Sequence, residues 1–397
     1  MSRTYDVVLF GATGFTGRLV AEYLAKAAPA GFKWALAGRN QEKLAQIRSS
    51  LGPKGADVPL MSADSSDAKS LEAMAQSTKV VCTTVGPYAK YGLPLVEACA
   101  KAGTHSCDLT GETQFMRDSI DRYDAMAKQS GARIVHASGF DSVPSDLGVF
   151  TLHEALGPLE QVTLVVERLK GAFSGGTIAS LLVGLDEAKA DRARRRILTD
   201  PYGLSPAREK EPKLGDERDL TTFKYDDFVG GWIAPFFMAS VNTRVVRRSN
   251  ALNDYAWGSK LRYAEVSAMK GPVRAAMMTA GLGAFFAGLM FGPTRKLIES
   301  RLPKPGEGPD EETRKRGMVR MRLHAKTEKG ERRSLVVEGQ GDPGYQLTSL
   351  ILGESAMCLA LDQDKLPKRA GVLTPATAMG ATYRDRLVRA GMKFDLN

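Results

Sequence analysis

The first 150 residues predict an α/β fold built on a doubly wound parallel sheet, followed by a second α+β region. Three observations carry this. Residues 7–10 (Val-Val-Leu-Phe) are apolar and lead into Gly11-Ala12-Thr13-Gly14-Phe15-Thr16-Gly17. An amphipathic segment with Leu19, Val20, Tyr23 and Leu24 at helical spacing comes next, then a second apolar run at 34–37. The order is strand, glycine turn, helix, strand. The alternation continues to residue 137, with strands expected at 58–61, 79–84, 105–109 and 132–137. Beyond residue 150 it breaks up, and residues 318–326 and 334–339 alternate like an antiparallel pair.

The glycine turn is where chemistry enters. Gly11 suits a tight turn off the strand, Gly14 allows a pyrophosphate close to the backbone, and Gly17 lets the helix approach the sheet. The helix N-terminus offers N–H groups and a positive dipole end. These features indicate a Rossmann-type dinucleotide site. Gly38-Arg39 ends the second strand, where an NAD site would carry an acid for the ribose 2′-hydroxyl. A guanidinium suits a 2′-phosphate, so the expected cofactor is NADP. The expected cofactor-binding residues are Gly11, Thr13, Gly14, Phe15, Thr16, Gly17, Gly38, Arg39, Asp64, Gly86 and Pro87.

The remaining elements follow from local signals. Asn40 and Asp67 read as helix N-caps and Gly103 as a C-cap. A strand is expected at 162–169, a helix opening at Gly175-Gly176-Thr177, a Pro-rich loop at 201–219 and a strand at 241–248. Helices are expected at 344–361 and 375–390. The expected division is a Rossmann domain of residues 1–150 plus about 345–397, and a substrate domain of 151–344.

Net charge is +10, yet the first 150 residues hold sixteen Lys/Arg against fifteen Asp/Glu, so nearly all the excess lies beyond them. With no nucleic-acid-binding motif, an anionic membrane or carrier is the better partner class. Cys82, Cys99, Cys107 and Cys358 show no metal-ligand or paired spacing, and nothing at the N-terminus reads as a signal peptide. The expectation is no metal, no disulfide framework and a cytoplasmic protein. Residues 275–293 carry no charge, and Lys270, Arg274, Arg295, Lys296, Arg301 and Lys304 flank them. Three readings stand open: a buried helical hairpin, an interfacial surface using Phe285, Phe286, Leu289, Met290 and Phe291, or a membrane span. The interfacial reading predicts peripheral association with anionic vesicles.

Several motifs occur in one order: the glycine turn, Ala37-Gly38-Arg39, Gly86-Pro87-Tyr88, Asp108-Leu109-Thr110-Gly111-Glu112, residues 139–148 (from Gly139-Phe140-Asp141-Ser142), Pro305-Gly306-Glu307-Gly308-Pro309 and Gly341-Asp342-Pro343-Gly344-Tyr345. With these the chain resembles the saccharopine dehydrogenase-like oxidoreductases, closest to the trans-acting enoyl reductase branch. The resemblance implies an NADPH-linked reductase whose Rossmann domain is completed by the C-terminal tail. It also implies reduction of a carbon–carbon double bond in a small-molecule or carrier-linked lipid or polyketide substrate, and leaves room for a homodimer. Two alternatives are a saccharopine-type amino-acid dehydrogenase and a non-catalytic NADPH sensor or scaffold.

Enoyl reduction needs a proton source and a donor near the nicotinamide. The candidates are Tyr88, Asp141 and Ser142, each after a strand on the cofactor side. Tyr88 either donates or only shapes its loop; Asp141 and Ser142 either orient substrate or cap the next helix. Asp108 and Glu112 bracket another turn, and His136 reads as a core histidine. The Tyr-x-x-x-Lys dyad of short-chain dehydrogenases is missing: Tyr23, Tyr88 and Tyr123 are followed four residues on by Ala27, Gly92 and Ala127.

Overall fold

The computed structural model describes residues 3–171, 174–302 and 306–397. Pro303, Lys304 of the basic flank and Pro305 of the Pro305–Pro309 motif lie outside the described residues. The first half runs β1 (Tyr5–Phe10), α1 (Phe15–Ala27), β2 (Trp34–Gly38), α2 (Gln41–Ser50), β3 (Leu60–Ser62), α3 (Ala68–Ser77), β4 (Thr78–Thr83), α4 (Tyr88–Ala102), β5 (His105–Asp108), α5 (Thr113–Ser130), β6 (Arg133–Val135) and α6 (Val143–Leu156). Then come β7 (Leu159–Lys170), α7 (Gly175–Ala190), α8 (Arg192–Thr199), β8 (Lys224–Asp226), β9 (Gly231–Pro235), α9 (Ala239–Leu252), β10 (Arg262–Met269), α10 (Pro272–Met290) and α11 (Gly292–Glu299). The chain ends with α12 (Glu311–Lys315), β11 (Met318–Thr327), β12 (Arg332–Gln340), α13 (Thr348–Leu361), β13 (Gly371–Leu373), α14 (Pro375–Arg389) and β14 (Lys393–Leu396).

The first sheet has the order β13-β6-β5-β4-β1-β2-β3, and its paired strands are parallel. β1 is buried by its own alternation: Val7 and Leu9 enter the core shared with α1 and α13, whereas Val8 and Phe10 enter the core under α3, α4 and α5. Asn40 accepts from Lys43 N at 2.9 Å and Asp67 from Lys69 N at 3.0 Å, so both predicted N-caps form. Gly103 ends α4 in the left-handed region at φ 66°, as its predicted C-cap role requires. The order turns back on itself at β1 and β4, the switch point at which doubly wound sheets open a crevice.

The second sheet is mixed, with the order β14-β12-β11-β7-β10-β9-β8. β7 and β10 are parallel, and the other pairs antiparallel. The predicted 318–326 and 334–339 pair is β11 and β12, in register from Met318↔Gln340 to Lys326↔Arg332. α6 joins the two bodies, and Gly148 lies so close to Leu323 that a Cβ there would meet its side chain at 2.7 Å. The tail divides between the sheets: β13 pairs with β6, and β14 with β12.

Two expectations change. Residues 241–248 are helix, within α9, and not strand. Val241, Val245 and Val246 look β-like, but Arg244, Arg247 and Arg248 are buried because backbone carbonyls and Asp219 accept hydrogen bonds from their guanidinium groups. β8, β9 and β10 give weak sequence signals and have no counterpart among the expected strands. Residues 275–293 form no buried hairpin: α10 is one 19-residue helix with only Ala275 and Leu289 buried.

Candidate active site

The carboxyl ends of β1, β2, β4, β5 and β6 converge on one edge. There the glycine turn is fixed by its neighbours. Gly11 N donates to Ala37 O at 3.0 Å, Thr84 N to Phe10 O at 3.0 Å, and Thr84 Oγ1 to Gly11 O at 3.1 Å. Gly11 sits at φ +95°, and a Cβ on Gly17 would lie 2.2 Å from Gly11 O, so neither position tolerates a side chain. Gly14 differs: its Cβ would meet only Gly11 O at 3.4 Å, leaving the approach to α1 open. No side chain caps α1, and its first turn holds no acid. Free N–H groups facing an open approach are what a pyrophosphate requires, so these residues fit a dinucleotide. Thr13 is exposed and Thr16 half-buried beside this approach.

At the end of β2, Gly38 O accepts from Ala63 N at 3.2 Å, and Arg39 follows, exposed. A Cβ on Gly38 would make ordinary contact with Leu44, so that glycine is not sterically compelled. Asp64 accepts from Ser66 N and Oγ at 2.9 and 2.8 Å. Those bonds, with a smaller contribution from the Arg39 charge, hold its carboxyl below the usual range. Arg39 and Asp64 thus stand side by side where the adenosine end of a cofactor would lie.

Phe15 opens α1 with its backbone, but its ring serves packing. Tyr345 lies edge-on at 4.8 Å between centroids, Arg18 and Arg314 stack at 5.2 and 5.5 Å, and a Cβ on Gly308 would come within 2.5 Å of the ring. Tyr345 Oη donates to Glu307 O at 2.9 Å and accepts from Gly175 N at 3.3 Å. Phe15 therefore seats a substrate-region loop on the glycine turn with its ring, while its backbone N–H stays at the open start of α1.

Tyr88 is corrected. Gly86 and Pro87 form the turn after β4, with Pro87 at the N-cap of α4. The Tyr88 phenol is buried, donates to Thr83 O at 3.2 Å and packs on Phe115 at 5.7 Å between centroids. Burial pushes that phenol well above its ordinary pKa. It stays protonated and holds the end of β4; it is not offered to a substrate. Ser142 occupies the N-cap of α6 without side-chain capping, and its hydroxyl is buried, donating to Asn242 Oδ1 at 3.0 Å. Asn242 Nδ2 donates to Glu265 at 2.9 Å, so Ser142 joins the sheets instead of facing the crevice.

Asp141 is different. It lies in the turn after β6, half-buried, and among the described residues no hydrogen bond or ion pair engages its carboxyl. Burial alone pushes it up to about 6.

The residue that composition and spacing undervalued is Glu112. It is buried, and its carboxylate accepts from Tyr88 N at 2.8 Å, Ala89 N at 2.7 Å and Ser180 Oγ at 2.5 Å. It caps α4 and grips α7 at once. Its pKa is raised, because burial outweighs those donors. Asp108 and His136 are structural: His136 bridges Asp108 at 2.6 Å and Ser119 at 2.7 Å with all three buried, the core role expected of it. Above the β5 turn, Met238 lies 3.7 Å from the Cβ position of Gly111, beside Phe236 and Phe237. The segment after β9 thus packs its buried side chains over the β5 turn.

A family model, the saccharopine dehydrogenase NADP-binding domain, matches residues 7–135. A Mycobacterium tuberculosis protein provisionally named a trans-acting enoyl reductase is 47% identical, across 98% of this chain and 97% of its own length. A trans-acting enoyl reductase of Mycobacterium bovis is 43% identical with the same coverage. Among solved structures, saccharopine dehydrogenase (L-Glu forming) from Saccharomyces cerevisiae aligns over 98% of this chain and 99% of its own, with a TM-score of 0.53 at 13% identity. That likeness is one of fold.

Proposed function

This chain belongs to the saccharopine dehydrogenase-like, NADP-dependent oxidoreductases, in the group of the trans-acting enoyl reductases, and from that premise we propose that it reduces the carbon–carbon double bond of a lipid- or polyketide-type enoyl substrate. Bound NADPH supplies the hydride. Gly11, Thr13, Gly14, Thr16 and Gly17 would hold the pyrophosphate through the open N-terminus of α1, with Arg39 at the 2′-phosphate, Asp64 near the adenosine, and Gly86 and Pro87 lining the turn after β4. The observation that carries the reading is Asp141, a half-buried carboxyl at the sheet's carboxyl edge with no donor engaging it among the described residues. With its pKa raised to about 6, its Oδ holds a proton at pH values where an exposed aspartate does not. It would deliver that proton to the α-carbon side of the enolate. Met238 packs over Gly111 at that edge, beside the Phe236–Phe237 pair, an apolar neighbour that suits an acyl chain more than a polycarboxylate.

The test is NADPH oxidation against a panel of enoyl thioesters, with lysine plus 2-oxoglutarate as the competing substrate pair. Enoyl reduction should fall about 10²–10⁴-fold in Asp141→Asn, with NADPH affinity unchanged. The wild-type rate should decline as pH rises through about 6, because the acid form is the active one. Turnover of the amino-acid pair alone would overturn the reading. An Asp141→Asn variant with the wild-type rate and pH profile would remove Asp141 from it.

A further inference from the structure

We propose that α10 and the start of α11 form a peripheral docking surface for anionic lipid bilayers, with an apolar helix lying along the membrane interface between two clusters of cations. This goes beyond the enoyl reading and does not depend on it.

α10 contains no acid, and its single charge is Arg274 in the first turn. Ala275 near one end and Leu289 near the other are its only buried residues. The helix packs against β8, β9 and β10 and, near Leu289, against α11, where Gly288 faces Ile298, so its axis runs along the surface and one long face points away. That face is apolar at helical spacing: Val273, Met277, Ala280, Ala284, Ala287 and then Phe291, all exposed. Val273, Met277 and Phe291 are 71%, 69% and 67% exposed, and Leu297 on α11 adds 60%. Large apolar side chains exposed together mark a contact surface. The face differs from the one expected from sequence, because Phe285 and Phe286 pack on each other at 5.7 Å and are half-buried.

The charges choose the occupant. Lys270 and Arg274 stand at one end, and Lys296 and Arg301 at the other; none is in an ion pair among the described residues. Arg295 is already neutralised by Asp186 and Glu299. A second copy laid on this face would bring cations against cations in either orientation, parallel or antiparallel. Anionic headgroups complement both ends at once. A span is disfavoured by this packing along the surface, although length and composition alone would allow one. The surface also adjoins the crevice: Arg295 on α11 bonds Asp186 on α7, and Ser180 on α7 bonds Glu112 at the cofactor edge.

The experiment is co-sedimentation of the full chain with phosphatidylglycerol-containing vesicles and with neutral phosphatidylcholine vesicles, at low and high salt. Two variants accompany the wild type, Met277→Asp/Phe291→Asp and Arg274→Glu/Lys296→Glu, with NADPH binding as the check that each is folded. The wild type should pellet with anionic vesicles at low salt and at least tenfold less with neutral vesicles or at high salt. Both variants should lose binding while keeping NADPH affinity. Failure of the wild type to pellet overturns the proposal. Dimerisation that the Met277→Asp/Phe291→Asp variant abolishes, without vesicle binding by the wild type, would assign the face to a second copy. Pelleting that resists high salt and carbonate would make α10 a span.

Discussion

Arg39 shows how much one exposed side chain can decide. It lies at the end of β2 next to Asp64, whose own carboxylate is turned back onto Ser66. A guanidinium there meets a 2′-phosphate, whereas a 2′-hydroxyl gains little from it. Arg39→Ala should weaken NADPH binding roughly tenfold or more, for the loss of a charge-assisted bond of about 1.5–3 kcal/mol. It should leave NADH nearly unaffected, as read by fluorescence titration of both cofactors. Equal affinities in the wild type would refute the assignment. Glycine spacing and the identity of residue 39 were legible because each acts through backbone conformation or fixed charge. The direction of a side chain was not. Tyr88 follows a strand on the cofactor edge, yet its phenol turns inward to Thr83, and nothing in the string Gly86-Pro87-Tyr88 encodes that turn.

α4 illustrates the same limit at the level of an element. Its start at Tyr88 carries no local sequence signal, because the cap comes from Glu112, 24 positions away, and not from a local Ser or Asp. The Glu112 carboxylate satisfies three donors from α4 and α7. Glutamine offers one acceptor oxygen, so Glu112→Gln leaves a buried N–H without its partner. The expected cost is about 1–3 kcal/mol, measured as a lower urea midpoint, and Ser180→Ala, which removes only the α7 donor, should lower the midpoint less. An unchanged midpoint would mean that α4 does not depend on this cap. α9 is hidden in the sequence for a related reason: arginines imply solvent until their carbonyl partners, spread from residue 198 to 372, are known. By contrast, Asn40, Asp67 and Gly103 were readable, since their partners lie within four residues.

Across the whole molecule, the seam between the two sheets is polar and buried. Asp146 accepts from Ser249 and Ala376 N, and Glu265 from Asn242 and Tyr263. Burial pushes both carboxyls up to about 7. The folded protein therefore retains protons that an unfolded chain releases near pH 4. Their stabilising effect is complete below that pH and is lost as pH rises through about 7. Thermal midpoints of the wild type and Glu265→Gln, compared from pH 5 to 8, should show a shallower decline in the variant. Parallel curves would indicate that Glu265 titrates as it does in water.

The division of the tail has a kinetic side. β6 ends at Val135, and its outer neighbour β13 arrives only at Gly371. A loop of more than two hundred residues must close before that edge of the parallel sheet is covered, and such distant pairing is slow to nucleate. Until then the edge of β6 is open to any extended segment that meets it. Refolding yield should therefore fall steeply with protein concentration, and a fragment ending before residue 371 should aggregate where the full chain does not.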